Sequence, residues 1–575
     1  MGDLTIGERL KDIKEKLGMV TSIGWAVLFG EHQLGEVTVR GQKMRAFKRV
    51  PNCIGDLYRP YLKAQASKEW FIYESERVTF AQAEQAMDAL AAELSASFGI
   101  KKGSVVGLAM RNLPELCIGF LAVTAMGAVA VPLNSLWGTK ELEYAVKDSA
   151  CTVLIADAER LSAAQPFLEG SAVKKILVRG TAEEAADFGA ARWEDVLATG
   201  QGKPFPSTKD VDADDDVMIM YTSGSTGFPK GVVHTHRSMG NLLKFLELTT
   251  KIVPDPKPKS LLSVPLFHIT ALAGVFLSSM PRGEGIVMMR KWDAGEGLRL
   301  IETEECSRFT GVPTMVGDML AHPEYTPERI RTMKAMFAAG APVPPQQVAA
   351  MRQKAKNVQN GQVYGCTETI IGTMNRGVDY LKHPKSAGRP IPLIVGIVIK
   401  DPETGKTLPD GSRGEICIRG VTVMKCYHNR PEDTAKVIDS EGYYHTGDVG
   451  RMEGGFLYIM DRIKDMIIRG GENIDCAEIE AALHANPSVR EASVFGLPDE
   501  RLGEVVGAAV FANGDVTPTQ LSDTVAAALA KFKVPLPEHI FLRSEELPKG
   551  ATGKIDKKGL REFYQGQLGA PRSKL

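Results

Sequence analysis

Residues 217–231 read VMIMYTSGSTGFPKG, an apolar, strand-like run that leads directly into a loop of glycine, serine and threonine. Glycines let backbone N–H groups approach an anion closely, hydroxyl groups donate hydrogen bonds, and the ammonium group of Lys230 neutralises charge. The loop therefore has the chemistry of a polyphosphate site, since a plain surface turn rarely needs so many hydroxyl groups beside an apolar strand. It does not match the GxxxxGK[ST] phosphate loop, because Pro229 precedes the lysine.

The chain around this loop alternates strand-like and helix-like segments. FIYESERVTF (71–80) has the pattern of a hairpin, residues 81–98 have helical periodicity, and the apolar runs at 104–110 and 127–131 are typical of strands. Such alternation predicts an α/β fold with largely parallel sheets. Beyond Arg413 the pattern becomes β-rich, and a compact tail of helices and strands follows.

The length of 575 residues exceeds that of an ordinary single domain. We predict an N-terminal extension at residues 1–50 and a large N-terminal domain at 51–461. The large domain should have mixed or parallel sheets flanked by helices, with a β-rich subdomain. A small α+β C-terminal domain should occupy residues 462–575.

Composition excludes several classes of protein. Lys and Arg number 69 and Asp and Glu number 70, so the chain lacks the basic field of nucleic-acid-binding proteins and must hold any anion locally. None of the eight cysteines forms a CxxC pair, which argues against a zinc ribbon or dithiol centre and favours buried free thiols. No apolar run approaches the ~18 residues that a transmembrane helix needs.

The chain ends in Ser573, Lys574 and Leu575. This tripeptide is a peroxisomal address that an import receptor reads from an exposed tail. We therefore expect a peroxisomal protein with that receptor as a partner.

Six further motifs follow the glycine-rich loop in a fixed order. They are PLFHIT (265–270), FAAGAP (337–342), YGCTET (364–369), YHTGDVG (444–450), DRIKDMIIRGGENI (461–474) and PKGATGKIDK (548–557). Together with the loop, they resemble the signature motifs of the adenylate-forming superfamily. That superfamily comprises acyl-CoA synthetases, aryl-CoA ligases, luciferases and peptide-synthetase adenylation domains. The resemblance extends from Trp70 to Phe563.

The resemblance implies an ATP site. Its phosphate-binding residues would be Thr222, Ser223, Gly224, Ser225, Thr226, Gly227 and Lys230. The small residues Gly340, Ala341 and Pro342 would lie along the adenine, and Tyr364 would form its other side by aromatic stacking. Gly365 would also belong to the ATP site. Asp448 would accept hydrogen bonds from the ribose hydroxyls, supported by Arg462.

The resemblance also assigns catalytic roles. Thr367 would contact the α-phosphate, and Glu368 would bind Mg²⁺ with Thr222 as a second ligand, since this ion prefers hard oxygen donors. Lys554 would bridge the substrate carboxylate and the α-phosphate, where charge gathers in the transition state. His268 would border the acyl pocket.

Two half-reactions are implied, namely adenylation of a carboxylic acid by ATP and thioester formation with coenzyme A. The C-terminal domain would be mobile and rotate between them about a hinge at Lys464. Gly470 and Gly471 would then line a narrow tunnel for coenzyme A. We interpret His234 and His236 as structural residues rather than a metal pair, because no third clustered ligand supports a metal.

The acid is predicted to be apolar. Residues 269–280, ITALAGVFLSSM, contain no carboxylate that would pair with an amino acid's ammonium group, and Ala271–Leu277 with Ile370, Ile371 and Gly372 would form an apolar pocket. Residues 130–150 look most like fatty-acyl-type synthetases. We predict a medium- or long-chain fatty acid, with an aryl or arylalkanoic acid as the alternative. A luciferase-type oxygenase on the same scaffold also remains open.

Overall fold

The computed structural model describes residues 30, 32–222, 229–250, 255–341, 343, 345–470, 472–550 and 554–569. Within them, two large sheets and a four-stranded sheet form the N-terminal part, and a five-stranded sheet forms the C-terminal part. The α/β architecture with mixed sheets and a small C-terminal domain is as the sequence predicts.

Sheet A has eight strands. From one edge to the other they are Cys426–Tyr427, Lys230–Thr235, Asp216–Thr222, Val129–Pro132, Val105–Ala109, Val153–Asp157, Lys174–Val178 and Ala191–Arg192. Lys230–Thr235 is antiparallel to both of its neighbours, Cys426–Tyr427 and Asp216–Thr222. The other five strands run parallel to Asp216–Thr222. Thr222 pairs with Lys230, so the glycine-rich loop joins two neighbouring strands at this end of the sheet.

Sheet B has nine strands. In order they are Arg389–Pro390, Thr373–Arg376, Gln359–Tyr364, Ala335–Ala339, Arg308–Gly311, Lys259–Leu262, Gly285–Met288, Glu69–Tyr73 and Glu76–Thr79. The six strands from Gln359–Tyr364 to Glu69–Tyr73 are parallel. Their carboxyl ends, where open α/β sheets bind ligands, carry the FAAGAP and YGCTET motifs.

Helices cover these sheets and fill the space between them. They are Gly55–Ala64, Phe80–Ala96, Pro114–Ala125, Thr139–Asp148, Ala158–Leu168, Ala182–Phe188, Trp193–Gly200, His236–Thr250, Ile269–Ala271, Ser278–Arg282, Ala294–Thr303, Pro313–Ala321, Pro345–Lys354, Gly377–Lys382 and Pro431–Val437, with a π-helical turn at Leu272–Leu277. Pro114–Ala125 is apolar on all sides and almost wholly buried, because its core cluster contains side chains of both large sheets.

Sheet C is antiparallel and lies beside the large sheets. Its strands are Val395–Lys400, Gly414–Gly420, Tyr444–Glu453 and Phe456–Arg462. The β-rich pattern beyond Arg413 is thereby confirmed. Asp448 and Arg462 are paired in register on the last two strands, which places two motif residues side by side.

Sheet D belongs to the C-terminal part, and its first strand along the chain begins five residues after Arg462. Its strands are Glu472–Ile474, Ile467–Arg469, Gly503–Ala512, Val489–Asp499 and Ile540–Arg543. The accompanying helices are Cys476–Leu483, Pro518–Ala528 and Lys557–Gly569, with short 3₁₀ turns at Lys531–Lys533 and Pro537–His539. Sheet C ends at Arg462 and sheet D begins at Ile467. The connection at residues 463–466 therefore starts one residue beyond the domain division predicted between residues 461 and 462.

Part of the predicted N-terminal extension is folded. Leu34–Val39 and Gln42–Phe47 pair as an antiparallel hairpin, hereafter the N-terminal hairpin. Phe47 N donates a hydrogen bond to Asn241 Oδ1 at 2.8 Å, and the Phe47 side chain is buried. This segment of the predicted extension is thus a hairpin whose alternating apolar residues bury one face against the large domain.

Among the described residues, no helix combines the length and the apolar run needed to cross a bilayer. All eight cysteines are free thiols, and six of them are buried.

Candidate functional site

The phosphate-loop lysine is held by neighbours from another element. Lys230 Nζ lies 2.9 Å from Asp433 Oδ2 and 5.1 Å from the centre of the Tyr427 ring. Thr222 Oγ1 donates a hydrogen bond to Lys230 O at 3.4 Å, which closes the base of the loop. The ammonium group is thus held at the carboxyl end of sheet A, beside the glycine-rich loop.

Glu368 is a buried carboxylate with a defined orientation. Glu368 is only 8% exposed. Tyr427 Oη donates a hydrogen bond to Glu368 Oε1 at 2.8 Å, and Met424 N donates to the Glu368 carbonyl oxygen at 2.7 Å. Burial and the Glu368 charge raise the pKa of Tyr427 well above its ordinary value, so the phenol remains a donor.

This donor set suits Mg²⁺. The ion prefers hard oxygen ligands and takes few of them from protein, keeping waters and substrate phosphates for the rest. A buried carboxylate at Glu368 and a hydroxyl group at Thr222 are ligands of that kind. Thr222 ends a strand of sheet A, and Glu368 follows the end of a strand of sheet B by four residues.

A second carboxylate, Asp448, is held by residues of sheets B and C. Tyr364 Oη donates to Asp448 Oδ2 at 2.6 Å, and Arg462 Nε donates to Asp448 Oδ1 at 3.1 Å. Burial and the Asp448 charge raise the pKa of Tyr364 well above its ordinary value. The sequence-predicted residues Tyr364, Asp448 and Arg462 are therefore brought together from sheets B and C.

Lys554 reaches this cluster from the C-terminal part. Its side chain passes over Gly340, where an added Cβ would lie 3.5 Å from Lys554 Cε. The ammonium is accessible from the cleft yet crowded by protein, and this burial together with the Arg462 charge lowers its pKa. Gly340 has φ +85°, a left-handed conformation that favours glycine, whereas an added Cβ would make only an ordinary van der Waals contact with Lys554.

His268 faces the same lysine. Burial and the Lys554 charge lower the pKa of His268 to about 3, so its imidazole is neutral at physiological pH. Its Nε2 is buried and has no hydrogen-bond partner among the described residues. A neutral ring beside Lys554 adds no positive charge to those of Lys554 and Arg462.

The segment that carries Thr367 and Glu368 is tightly constrained. An added Cβ at Gly365 would lie 2.8 Å from Ile370 O, so only glycine fits there. Ile370 has φ +64°, a strained conformation for a β-branched residue. His234 Nε2 lies 2.7 Å from Thr367 O, and burial lowers the pKa of His234 to about 4.

The two histidines after the phosphate loop do not form a metal pair. His236 Nδ1 accepts a hydrogen bond from Ile54 N at 3.2 Å, and His234 supports Thr367. In the described part of the chain, the one group of three or more metal-capable ligands is Glu415, Cys417 and His445.

Several contributors were not identified from the sequence. Tyr427 and Asp433 lie outside all the motifs, and only the fold brings them to Glu368 and Lys230. Asn112 holds the PLFHIT loop, since its Oδ1 accepts from Leu266 N at 2.9 Å. No local pattern marks these residues, although each follows or lies within a predicted element.

A charged network supports the strand that carries Asp448. His445 Nδ1 lies 2.7 Å from Glu415 Oε2 and 3.6 Å from Cys417 Sγ, and Gly447 N donates to Glu415 Oε1 at 2.9 Å. His445 Nε2 lies 3.4 Å from Asp439 Oδ2. Contacts with the Cys417 thiol and the Glu415 carboxylate raise the pKa of His445 to about 10.

This network predicts pH-dependent stability. His445 stays charged in the folded chain up to a pKa of about 10 but loses its proton near pH 6.5 in the unfolded chain. The stabilisation is therefore complete below about pH 6.5 and is lost as pH rises toward about 10. Urea unfolding across this window should show a steeper fall in unfolding free energy for the wild type than for His445→Gln. A His322→Gln control should follow the wild type, and parallel curves for all three proteins would contradict the prediction.

The predicted hinge and tunnel residues lie at the start of the C-terminal part. Lys464 is exposed in a turn in which Asp465 N and Met466 N both donate to Arg462 O at 3.0 Å. Gly470 is exposed with φ +58°, between the paired residues Arg469 and Glu472. The tight turn of this hairpin favours glycine at position 470, independently of the tunnel that the sequence predicts there.

Some sequence-predicted residues lie outside the described residues. They are Ser223, Gly224, Ser225, Thr226, Gly227, Pro342, Gly471, Ser573, Lys574 and Leu575.

Comparison with known proteins gives a consistent result. The model of the AMP-binding enzyme family matches residues 61–428, and that of the AMP-binding enzyme C-terminal domain matches residues 478–554. A long-chain fatty acid–CoA ligase of Mycobacterium tuberculosis is 35% identical over 506 residues, covering 86% of this chain and 94% of the relative. A feruloyl-CoA synthase of Amycolatopsis is 33% identical over 493 residues, with coverages of 85% and 94%.

Among solved structures, the o-succinylbenzoate-CoA synthetase of Bacillus subtilis in complex with its acyl-adenylate intermediate is 27% identical. It superposes with a TM-score of 0.74, covering 90% of this chain and 99% of that one.

Proposed function

The chain belongs to the AMP-binding enzyme family and is an AMP-forming acid–CoA ligase, and on that premise we propose that its acid is a medium- or long-chain fatty acid. The observation that carries this proposal is the apolar wall after His268. Leu272, Ala273 and Val275 are buried, whereas Gly274 is exposed and an added Cβ there would meet no atom within 4 Å.

The wall is built for an apolar occupant. Ile269, Leu272, Ile370 and Ile371 belong to one cluster of buried apolar side chains. The π-helical turn at Leu272–Leu277 is a conformation that occurs mostly at functional sites. Open space beside Gly274 would admit an alkyl chain that a larger residue would block.

In the proposed first half-reaction, a carboxylate oxygen attacks the α-phosphorus of ATP and the bond to pyrophosphate breaks. Lys554 stabilises the charge that develops on the α-phosphate and neutralises the approaching carboxylate. Asp448, oriented by Tyr364 and Arg462, accepts hydrogen bonds from the ribose. Lys230 neutralises the phosphate tail.

Mg²⁺ would be held by Glu368 and Thr222 together with phosphate oxygens, and when bound it would offset charge on the pyrophosphate leaving group. Tyr427 fixes Glu368 so that one carboxylate oxygen stays directed away from the phenol.

In the second half-reaction, the sulfur of coenzyme A attacks the acyl carbon and AMP leaves. Lys554 would have to withdraw, because its side chain lies across Gly340 at the nucleotide. Rotation about Lys464 would exchange it for the hairpin at Gly470 and Gly471.

A panel of acids tests the proposed substrate. We expect pyrophosphate release and acyl-CoA formation with straight-chain fatty acids of eight or more carbons (~8–16) to exceed those with ferulate or benzoate by at least about tenfold in kcat/KM. Highest activity with an aromatic acid would contradict the proposal.

The open space beside Gly274 also predicts how a substitution there changes the preference for chain length. Gly274→Phe should shift the preference toward shorter acids, lowering kcat/KM for long chains by about tenfold or more because the ring occupies the open space. Gly317→Phe, at another glycine in a helix, serves as a control. An unchanged chain-length profile in Gly274→Phe would place the alkyl chain elsewhere.

An aryl or arylalkanoic acid is the second candidate. It is favoured by the feruloyl-CoA synthase relative, which matches nearly as much of the chain as the fatty acid–CoA ligase relative does. The same acid panel distinguishes the two.

The terminal Ser573-Lys574-Leu575 supports peroxisomal localisation as a further proposal. Removing these three residues from a fluorescently tagged chain should disperse it from peroxisomes, and unchanged localisation would contradict the proposal.

A further inference from the structure

The N-terminal hairpin lies outside the region that the AMP-binding family model matches, which begins at residue 61. Its two turn residues, Arg40 and Gly41, have φ of +49° and +75°. This left-handed conformation is ordinary for Gly41 but uncommon for Arg40, whose Cβ crowds the backbone. Since glycine or asparagine would suit the turn better, the arginine must be explained by its side-chain contacts.

The Arg40 side chain reaches residues 423–427, here called the anchor segment. Arg40 Nη1 donates to Met424 O at 2.8 Å and, more weakly, to Val423 O at 3.4 Å. Its Nε and Nη2 are buried and have no hydrogen-bond partner among the described residues. Burying a guanidinium group whose N–H donors lack partners is costly. What the buried position of Arg40 provides is its hydrogen bonding to the anchor segment.

The anchor segment in turn holds Glu368. Met424 N donates to Glu368 O at 2.7 Å, and Tyr427 Oη donates to Glu368 Oε1 at 2.8 Å. Met424 therefore bonds to both partners, because its carbonyl oxygen accepts the 2.8 Å hydrogen bond from Arg40 and its amide group donates to Glu368; Val423 O, in the peptide unit of that amide, accepts the weaker Arg40 bond of 3.4 Å. Hydrogen bonds in series polarise and strengthen one another.

The positive charge of Arg40 also acts on His234. Burial first, and the Arg40 charge in addition, lower the pKa of His234. The neutral His234 ring contacts Thr367 O at 2.7 Å. Arg40 is thus linked to Glu368 by hydrogen bonds through the anchor segment and lies close enough to His234 to lower its pKa.

We propose that Arg40, at the turn of the N-terminal hairpin, is a positioning residue for Glu368 in the adenylation site. This rests on the proposed function, in which Glu368 contributes to adenylation. It extends the site to a segment that precedes the matched family region, and it gives a role to part of residues 1–50.

The experiment compares Arg40→Ala and Arg40→Lys with Gln42→Ala in the full-length chain. Gln42 is a matched control, because its Nε2 also donates to a backbone oxygen, Ser440 O at 2.8 Å, but not on the anchor segment. Pyrophosphate exchange measures adenylation, and thioester formation from supplied acyl-adenylate measures the second half-reaction. Amide hydrogen exchange of residues 366–371 and 423–427 in the ligand-free chain gives a readout independent of activity.

For Arg40→Ala we expect adenylation to fall about tenfold and the half-saturating Mg²⁺ concentration to rise several-fold, since a charge-assisted hydrogen bond is lost. Thioester formation should stay within about twofold of the wild type. Amide exchange should accelerate in both segments. Arg40→Lys should recover part of the loss, and Gln42→Ala should resemble the wild type.

Arg40→Ala combined with Glu368→Gln should lose less adenylation than the product of the single losses, because the two residues act through one contact chain. Multiplicative losses, unchanged adenylation in Arg40→Ala, or equal losses of both half-reactions in Arg40→Ala and Gln42→Ala would each overturn the proposal. If Glu368→Gln loses adenylation while Arg40→Ala does not, only the hairpin proposal fails. If Glu368→Gln keeps full adenylation, the proposed role of Glu368 fails as well.

Discussion

Replacing Lys554 with alanine is expected to reduce adenylation by about 100- to 1,000-fold, the usual effect of removing a group that stabilises charge in the transition state. Lys554 is the lysine that the structure brings over Gly340, next to Asp448 and Arg462. Pyrophosphate exchange with a saturating acid measures this step.

Thioester formation from supplied acyl-adenylate should be nearly unaffected in Lys554→Ala, because the α-phosphate no longer has to be attacked. Lys558→Ala provides a control, since Lys558 is exposed on the following helix and lies near Glu562. Near-normal pyrophosphate exchange in Lys554→Ala would refute the catalytic role, and an equal loss in Lys558→Ala would point to a general effect of charge.

Replacing Lys464 with proline is expected to impair thioester formation and to spare adenylation, the reverse of the effect of Lys554→Ala. Proline fixes φ near −65° and removes rotation at this position. The chain would then be held in the observed arrangement, in which Lys554 faces the nucleotide site. Adenylation should remain within about threefold of the wild type, whereas overall thioester formation should fall about 100-fold or more, because the second arrangement is no longer reached.

The matched variant is Lys464→Ala, which removes the exposed side chain but keeps backbone freedom. It should retain both half-reactions. Equal losses of both half-reactions in Lys464→Pro, with an unchanged melting temperature, would contradict a hinge at this residue. Equal losses in Lys464→Ala would instead assign the effect to the side chain.

Much of the site is readable as local patterns. The glycine-rich loop follows an apolar strand, and YGCTET and YHTGDVG lie at strand ends, so each motif indicates its own place in the fold. Tyr364, Asp448 and Arg462 were predicted to serve one nucleoside, and the structure joins them by hydrogen bonds of 2.6 and 3.1 Å. Short-range patterns suffice where a ligand-binding residue and its turn lie within one motif.

Other contributors depend on contacts between distant segments. Tyr427 meets Glu368 across 59 positions of sequence, and Arg40 meets Met424 across 384. Neither pair shares a periodicity or a motif, because the contact depends on how sheet A, sheet B and the N-terminal hairpin are assembled. The same reason explains why residues 34–47 were taken for an extension.

The sequence by itself determined the α/β class, the family and the order of the chemical groups along the chain. It could do so because strand and helix periodicities are local and the glycine-rich loop must follow its strand directly. Only the tertiary structure decided which carboxylates are oriented, which groups surround Lys554 and which segment supports Glu368. Those properties arise from burial and from hydrogen bonds between elements far apart in the chain, whose free energies exist only once the sheets are packed together.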